Sequence, residues 1–208
     1  MITDRPVSLS GDPSETTTVR RIAWRRWLVR GFWLFALIGA VVLPDLFFQQ
    51  QDSGTGDALA RLEAQLKDRY SFSHIDPSSV DRLRNGEGGV VIFDVRQPEE
   101  YAVSHLPDAI RIDPDISNLD FLARYGAMVA DRQALFYCTV GRRSSRLIAR
   151  LEKPLAAAGT TLHNLSGGIF RWHSVGGDLV TIDGQPTDRV HPYNDQVRAL
   201  MPDTERQP

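Results

Sequence analysis

Two uninterrupted apolar runs constrain this chain more than any other feature. GVVIFDV, residues 89–95, and ALFYC, residues 134–138, are rich in β-branched and aromatic side chains and show no polar alternation. A strand with one solvated face alternates apolar and polar residues; a run without alternation is covered on both faces, as in a parallel sheet with helices on each side. Segments of helical character separate the runs. QPEEYAVSH reads as a short helix after a proline, and LDFLARYGAMVA as a helix with Leu119, Leu122 and Ala123 facing inward. RRSSRLIARLEKPLAAAG reads as a longer helix that Pro154 should kink or break. Upstream, Ile75 is a short apolar start and PSSVDRLRNGE a capped helix ending at glycines. Ala109 to Ile112 and TLHNL read as further strands, and SGGIFRW as a closing helix. Strands alternating with helices imply one doubly wound α/β domain, whose ligands bind at the carboxyl ends of its strands.

Cys138 ends the strand ALFYC, and it is the only cysteine in 208 residues. A lone cysteine forms no internal disulfide and no zinc site of the CxxC type. It is a buried small hydrophobe, a partner in an intermolecular disulfide, or a reactive thiol. Its place at a strand's carboxyl end favours the last reading. The net charge of −2 provides no basic footprint, so no nucleic-acid partner is expected. His74, His105, His163, His173 and His191 show no metal-ligand spacing, so no metal is expected either.

Between Cys138 and the next helix lie Thr139, Val140, Gly141, Arg142, Arg143 and Ser144. A tight strand-to-helix loop with a glycine turns backbone N–H groups inward toward the sulfur. The helix beginning near Arg143 adds the positive end of its dipole, and two adjacent arginines add full charges. All three influences favour an anion, here a thiolate.

The segment FDVRQPEEYAVSHLPDAIRI resembles the signature of the rhodanese family. That signature is a strand ending in Asp94, Val95 and Arg96, an acidic turn of Pro98, Glu99, Glu100 and Tyr101, then His105, Leu106, Pro107 and Ala109. YCTVGRRS looks like the family's active-site loop, and NLSGGIFRW like its closing motif. The resemblance implies a rhodanese-like domain and a sulfurtransferase that needs no cofactor and works through a covalent persulfide on Cys138. The thiolate would take the outer sulfur of a small sulfur-containing anion such as thiosulfate. A thiophilic acceptor, such as cyanide, glutathione, thioredoxin or another protein thiol, would then remove it. The loop from Thr139 to Ser144 would bind substrate, with Arg142 and Arg143 on the anionic donor. Asp94 and Arg96 would brace the loop, although a plain structural ion pair at a strand end accounts for them equally well. His105 would serve packing and hydrogen bonding, since a thiolate held by the loop needs no base. The sequence departs from the family where glycine is common after the proline: here stands Asp108. A carboxylate pointing into the mouth would discourage anionic donors; a turn residue pointing to solvent would not.

Two other functions fit the same architecture. Cysteine phosphatases and arsenate reductases place an arginine after five residues following the cysteine; here that position is Ser144, and Arg143 comes one residue early. The shorter cradle suits a single sulfur better than a phosphoryl group. A regulatory or docking module is the other reading, and the retained cysteine with its cationic loop argues against it.

Residues 1–19 are polar and read as a disordered tail, followed by a basic flank and apolar segment over 20–48. Counted from Trp27 to Phe48, that segment reaches the ~20 residues that span a bilayer, if Arg30 and Asp45 sit at the interfaces. Arg20, Arg21, Arg25, Arg26 and Arg30 precede it and the next positive residue is Arg61, which places the amino terminus in the cytoplasm and the domain outside. In a bacterium this is a single-pass inner-membrane protein with a periplasmic domain; the alternative is a secretory signal, cleaved to leave the domain in the periplasm. Residues 49–69 read as a linker and a juxtamembrane helix with Leu59, Leu62 and Leu66 on one face. The domain itself is expected over 70–185, with LVTI a short strand or hairpin arm. In the extension over 186–208, His191, Pro192 and Tyr193 are expected to pack back on the domain.

Overall fold

The computed structural model describes residues 58–86 and 88–200. The expected tail, basic flank and apolar segment, and the last eight residues, lie outside them. Among the described residues no helix is long and apolar enough to cross a membrane.

Five parallel strands form one sheet in the order β1-β5-β4-β2-β3, with β1 at Ser73–Ile75, β2 at Val90–Asp94, β3 at Ile110–Arg111, β4 at Gln133–Tyr137 and β5 at Thr161–Leu165. From β2 the chain crosses outward to β3 and then returns to β4 on the other side of β2, so winding reverses between β2 and β4. The two apolar runs are these central strands, paired Val90 to Gln133 through Asp94 to Tyr137.

Because side chains alternate across a strand, each run supplies two cores. Phe93, Ala134, Phe136 and Cys138 enter one, against α4 (Asn118–Val129) and α5 (Arg142–Ala157). Ile92, Leu135 and Tyr137 enter the other. The second core is covered by α1, the helix over residues 58–69, by α2 (Val80–Arg84) and by α6 (Gly168–Ser174). The leucine stripe of the 58–69 helix therefore packs on its own domain, with Leu59 and Leu66 buried and Leu62 against the second core.

Two details differ from the sequence expectations. In α4, Leu119 is 81% exposed and Ala123 is exposed too; Phe121, Tyr125 and Val129 face inward, with Leu122 beside them. Phe121 and Tyr125 pack edge-on against Phe93 at 5.5 and 5.4 Å between ring centroids, and the aromatic area buried in this phase exceeds what Leu119 and Ala123 would bury in the other. Secondly, α5 runs through Pro154 unbroken. Proline removes the N–H that would bond to the carbonyl of Arg150, and the side-chain amide of Asn118 supplies the missing donor at 3.0 Å.

Candidate active site

Cys138 stands one residue beyond β4, next to the carboxyl end of β2 and thus at the reversal of winding, where a doubly wound sheet opens a crevice. Its residue is 1% exposed. The residue nonetheless lines a cavity of about 190 Å³, lined also by Thr139, Val140, Arg142, Arg143 and Arg146.

The loop is held from behind. The carbonyl of Cys138 accepts from the N–H of Ile169 at 2.9 Å and that of Thr139 from Phe170 at 3.2 Å, both at the start of α6. Gly141 caps α5 with φ +88°, and its carbonyl accepts from the hydroxyl and N–H of Ser145 at 2.7 and 3.2 Å. A trans peptide points its N–H opposite to its C=O. With these three carbonyls drawn outward, the N–H groups of Thr139, Val140 and Arg142 turn to the other side. Gly168 lets α6 approach this closely: it has φ +58°, and a Cβ there would overlap the Cys138 carbonyl and stand 2.7 Å from the carbonyl carbon of Thr139.

The two loop arginines have different surroundings. Arg143 donates to both carboxylate oxygens of Glu100 at 2.6 and 2.7 Å and to the Thr139 hydroxyl at 2.7 Å. Thr139 in turn donates to Glu100 at 2.8 Å, and Glu100 accepts from the N–H of Gln97 at the start of α3 (Pro98–Val103) at 3.0 Å. Burial works against the charge of Arg143, but its interactions with Glu100 and with Cys138 outweigh it, so its pKa lies above the ordinary value. Burial likewise pushes the Glu100 carboxyl up, and Arg143, Gln97 and Thr139 together bring it below its ordinary value. Arg142 is exposed at the rim, with Arg146 one turn further along α5 on the same cavity.

Ser144, placed with the substrate-binding residues by its sequence position, lies behind the loop. It is fully buried and donates to Asn164 at 2.6 Å, and it does not line the cavity. Asp94 and Arg96 form a fully buried pair at 2.6 Å, with Arg96 also donating to the carbonyl of Ser104 and Tyr137 donating to Asp94 at 2.7 Å. These bonds tie the ends of β2 and β4 to the segment after α3. His105 stacks on Tyr101 with centroids 3.8 Å apart, its Nδ1 3.1 Å from the Tyr101 carbonyl, and pairs through its backbone with Val180. Asp108 is exposed in a turn with φ +63°, a conformation that suits the glycine it replaces, and it does not line the cavity. Sequence reading missed Arg146, though it stands at i+4 from Arg142 on one helix, and the partnership of Glu100 with Arg143, which spans 43 residues without a local signal.

The family profile described as a rhodanese-like domain matches residues 76–175. Over 112 residues the chain is 30% identical to a sulfurtransferase of Allochromatium vinosum, covering 54% of this chain and 98% of that protein. This chain belongs to the rhodanese-like family. Two other rhodanese-like relatives are similar at the same level. A thiosulfate:glutathione sulfurtransferase of Saccharomyces cerevisiae is 31% identical, with 45% of this chain and 71% of that protein covered. The thiosulfate sulfurtransferase GlpE of Pseudomonas aeruginosa is 30% identical, with 50% and 87% covered. The rhodanese-like match ends at Val175, so the cavity-lining residues Tyr193, Asn194, Gln196 and Val197 fall beyond it.

Proposed function

We propose that the chain moves a sulfane sulfur from a small anionic donor such as thiosulfate to a thiophilic acceptor through a persulfide on Cys138. The carrying observation is the placement of the lone thiol in a cationic cavity beside a loop whose Cys138, Thr139 and Gly141 carbonyls are bonded outward. The Cys138 thiolate attacks the outer sulfur of thiosulfate; a new S–S bond forms, the donor's S–S bond breaks, and sulfite leaves with its electron pair. The inward N–H groups of Thr139, Val140 and Arg142 stabilise the terminal sulfur, and Arg142 and Arg146 attract the dianion. Cyanide or a thiolate then attacks that terminal sulfur, leaves as thiocyanate or a persulfide, and restores the Cys138 thiolate. Glu100 holds Arg143 and Thr139 in place, and Asp94 and Arg96 hold the strand ends.

The test is intact-protein mass spectrometry after thiosulfate treatment. The expected spectrum gains the mass of one sulfur, lost again on adding cyanide with release of thiocyanate. A chain that keeps its original mass while turning over no thiosulfate would sink the proposal. Rapid hydrolysis of aryl phosphates without sulfur uptake would favour phosphoryl chemistry instead.

The same reading includes a membrane setting. We propose that the segment after Arg20, Arg21, Arg25, Arg26 and Arg30 anchors the chain with the rhodanese domain on the outer side of the cytoplasmic membrane. Protease added to cells stripped of outer barriers is expected to digest the domain. Digestion only after the cytoplasmic membrane is breached would refute the orientation.

A further inference from the structure

The mouth of the Cys138 cavity has a wall that the family match does not include. Tyr193, Asn194, Gln196 and Val197 line it, facing the loop and the arginines of α5. The wall is tied down on both sides. Val190, Val197 and Leu200 pack on the second core, and the Tyr193 ring lies over the Arg143 guanidinium at 4.3 Å, within cation–π range. Tyr193 adopts φ +66°, unusual for a residue with a side chain, and its N–H donates to His191 Nδ1 at 3.0 Å. Asn194 then caps the short helix α7 (Asp195–Arg198), its side chain accepting from the N–H of Val197 at 2.9 Å. This turn directs the ring onto Arg143.

The space left beside Cys138, about 190 Å³, is below the roughly 300–1,000 Å³ of sites for drug-sized ligands. It accommodates a small tetrahedral anion or a linear nucleophile such as cyanide.

We propose that Tyr193 is the specificity-determining residue of this wall, restricting the Cys138 sulfur to small reactants and slowing transfer to bulky thiols. The size restriction stands on geometry alone; its expression in acceptor choice rests on the transfer reading above.

The test uses the full chain, in which Cys138 is the only cysteine and every thiol modification reports on it. Alkylation rates with iodoacetamide and with fluorescein maleimide, each normalised to free cysteine, are compared in wild type, Tyr193→Gly, Tyr193→Phe and Gln196→Trp. Glycine removes the ring and accepts the positive φ. It is expected to raise the bulky-to-small ratio at least about tenfold, the discrimination a modest steric mismatch supplies. Phenylalanine, which keeps the ring, should leave the ratio as in wild type, and Gln196→Trp should lower it. The turnover ratio with glutathione against cyanide as acceptor is expected to move in the same direction as the alkylation ratio. An alkylation ratio unchanged in both Tyr193→Gly and Gln196→Trp overturns the proposal. A ratio that shifts as expected in a chain that takes up no sulfur would keep the size restriction and sink the transfer reading; sulfur uptake with an unchanged ratio would do the reverse.

Discussion

Asp94→Asn is expected to cost about 3–5 kcal/mol of folding stability, the range found when one partner of a buried ion pair is removed. Neither side chain of the pair is exposed to solvent. The Asp94 carboxylate accepts from Arg96 Nε at 2.9 and 3.0 Å, from Nη2 at 2.6 Å and from the Tyr137 hydroxyl at 2.7 Å. Burial disfavours the charge on Arg96, yet the charge and bonds of Asp94 outweigh it and its pKa stands above the ordinary arginine value. Without Asp94 that support is gone, but a guanidinium is basic enough to keep its charge even when buried, so in the variant Arg96 faces an amide that replaces one acceptor oxygen with a donor nitrogen. Whole domains are stable by about 5–15 kcal/mol, so the loss removes a large share of the total. Urea unfolding measures it: a midpoint lower by at least about 1 M is expected for slopes of about 1–3 kcal/mol/M. A midpoint within experimental scatter of wild type would show that the strand ends hold together without the pair.

Glu100→Gln is expected to cost about 3 kcal/mol, at the low end of the same range because the Arg143 side chain keeps 16% of its exposure while that of Glu100 keeps 1%. Its sign with pH is diagnostic. The folded-state pKa of Glu100 is depressed, so the group contributes stability in full above its unfolded value of about 4.3, and that contribution fades as pH falls through the lower folded value. Urea midpoints from pH 6 down to pH 3 should therefore fall more steeply below about pH 4.3 in wild type than in the variant. Parallel curves would exclude Glu100 as the titrating group. Because the same carboxylate fixes Thr139 and Arg143, the variant should also load sulfur onto Cys138 at least about tenfold more slowly, the effect of about 1.4 kcal/mol on the barrier.

What was legible in the sequence follows from periodicity and local chemistry. Unbroken apolar runs rich in β-branched and aromatic residues point to strands covered on both faces, and that placed Cys138 at a strand's carboxyl end before any contact was known. Gly141 between a strand and a helix announced the tight turn. Helix phase in α4 was not legible, because two overlapping stripes satisfy the same spacing and only the aromatic cluster around Phe93 selects one. The division between Arg142 and Arg143 was not legible either: adjacent residues of one type differ only in what faces them, and Glu100 arrives from another crossover of the sheet. Tyr193 was expected to pack back on the domain, but sequence provides no signal that it would settle on Arg143.

The helix over residues 58–69 precedes the rhodanese-like match and yet lies close behind the turn after Cys138. A Cβ at Gly141 would stand 3.5 Å from Leu66 Cδ1, and Glu63 accepts from Arg171 of α6 at 2.8 Å. The boundary of the sequence family is therefore not the boundary of the folding unit. A fragment cut to residues 76–175 would lose β1 and the buried Leu59 and Leu66, and with them the back support of the loop whose chemistry the fragment would be made to measure.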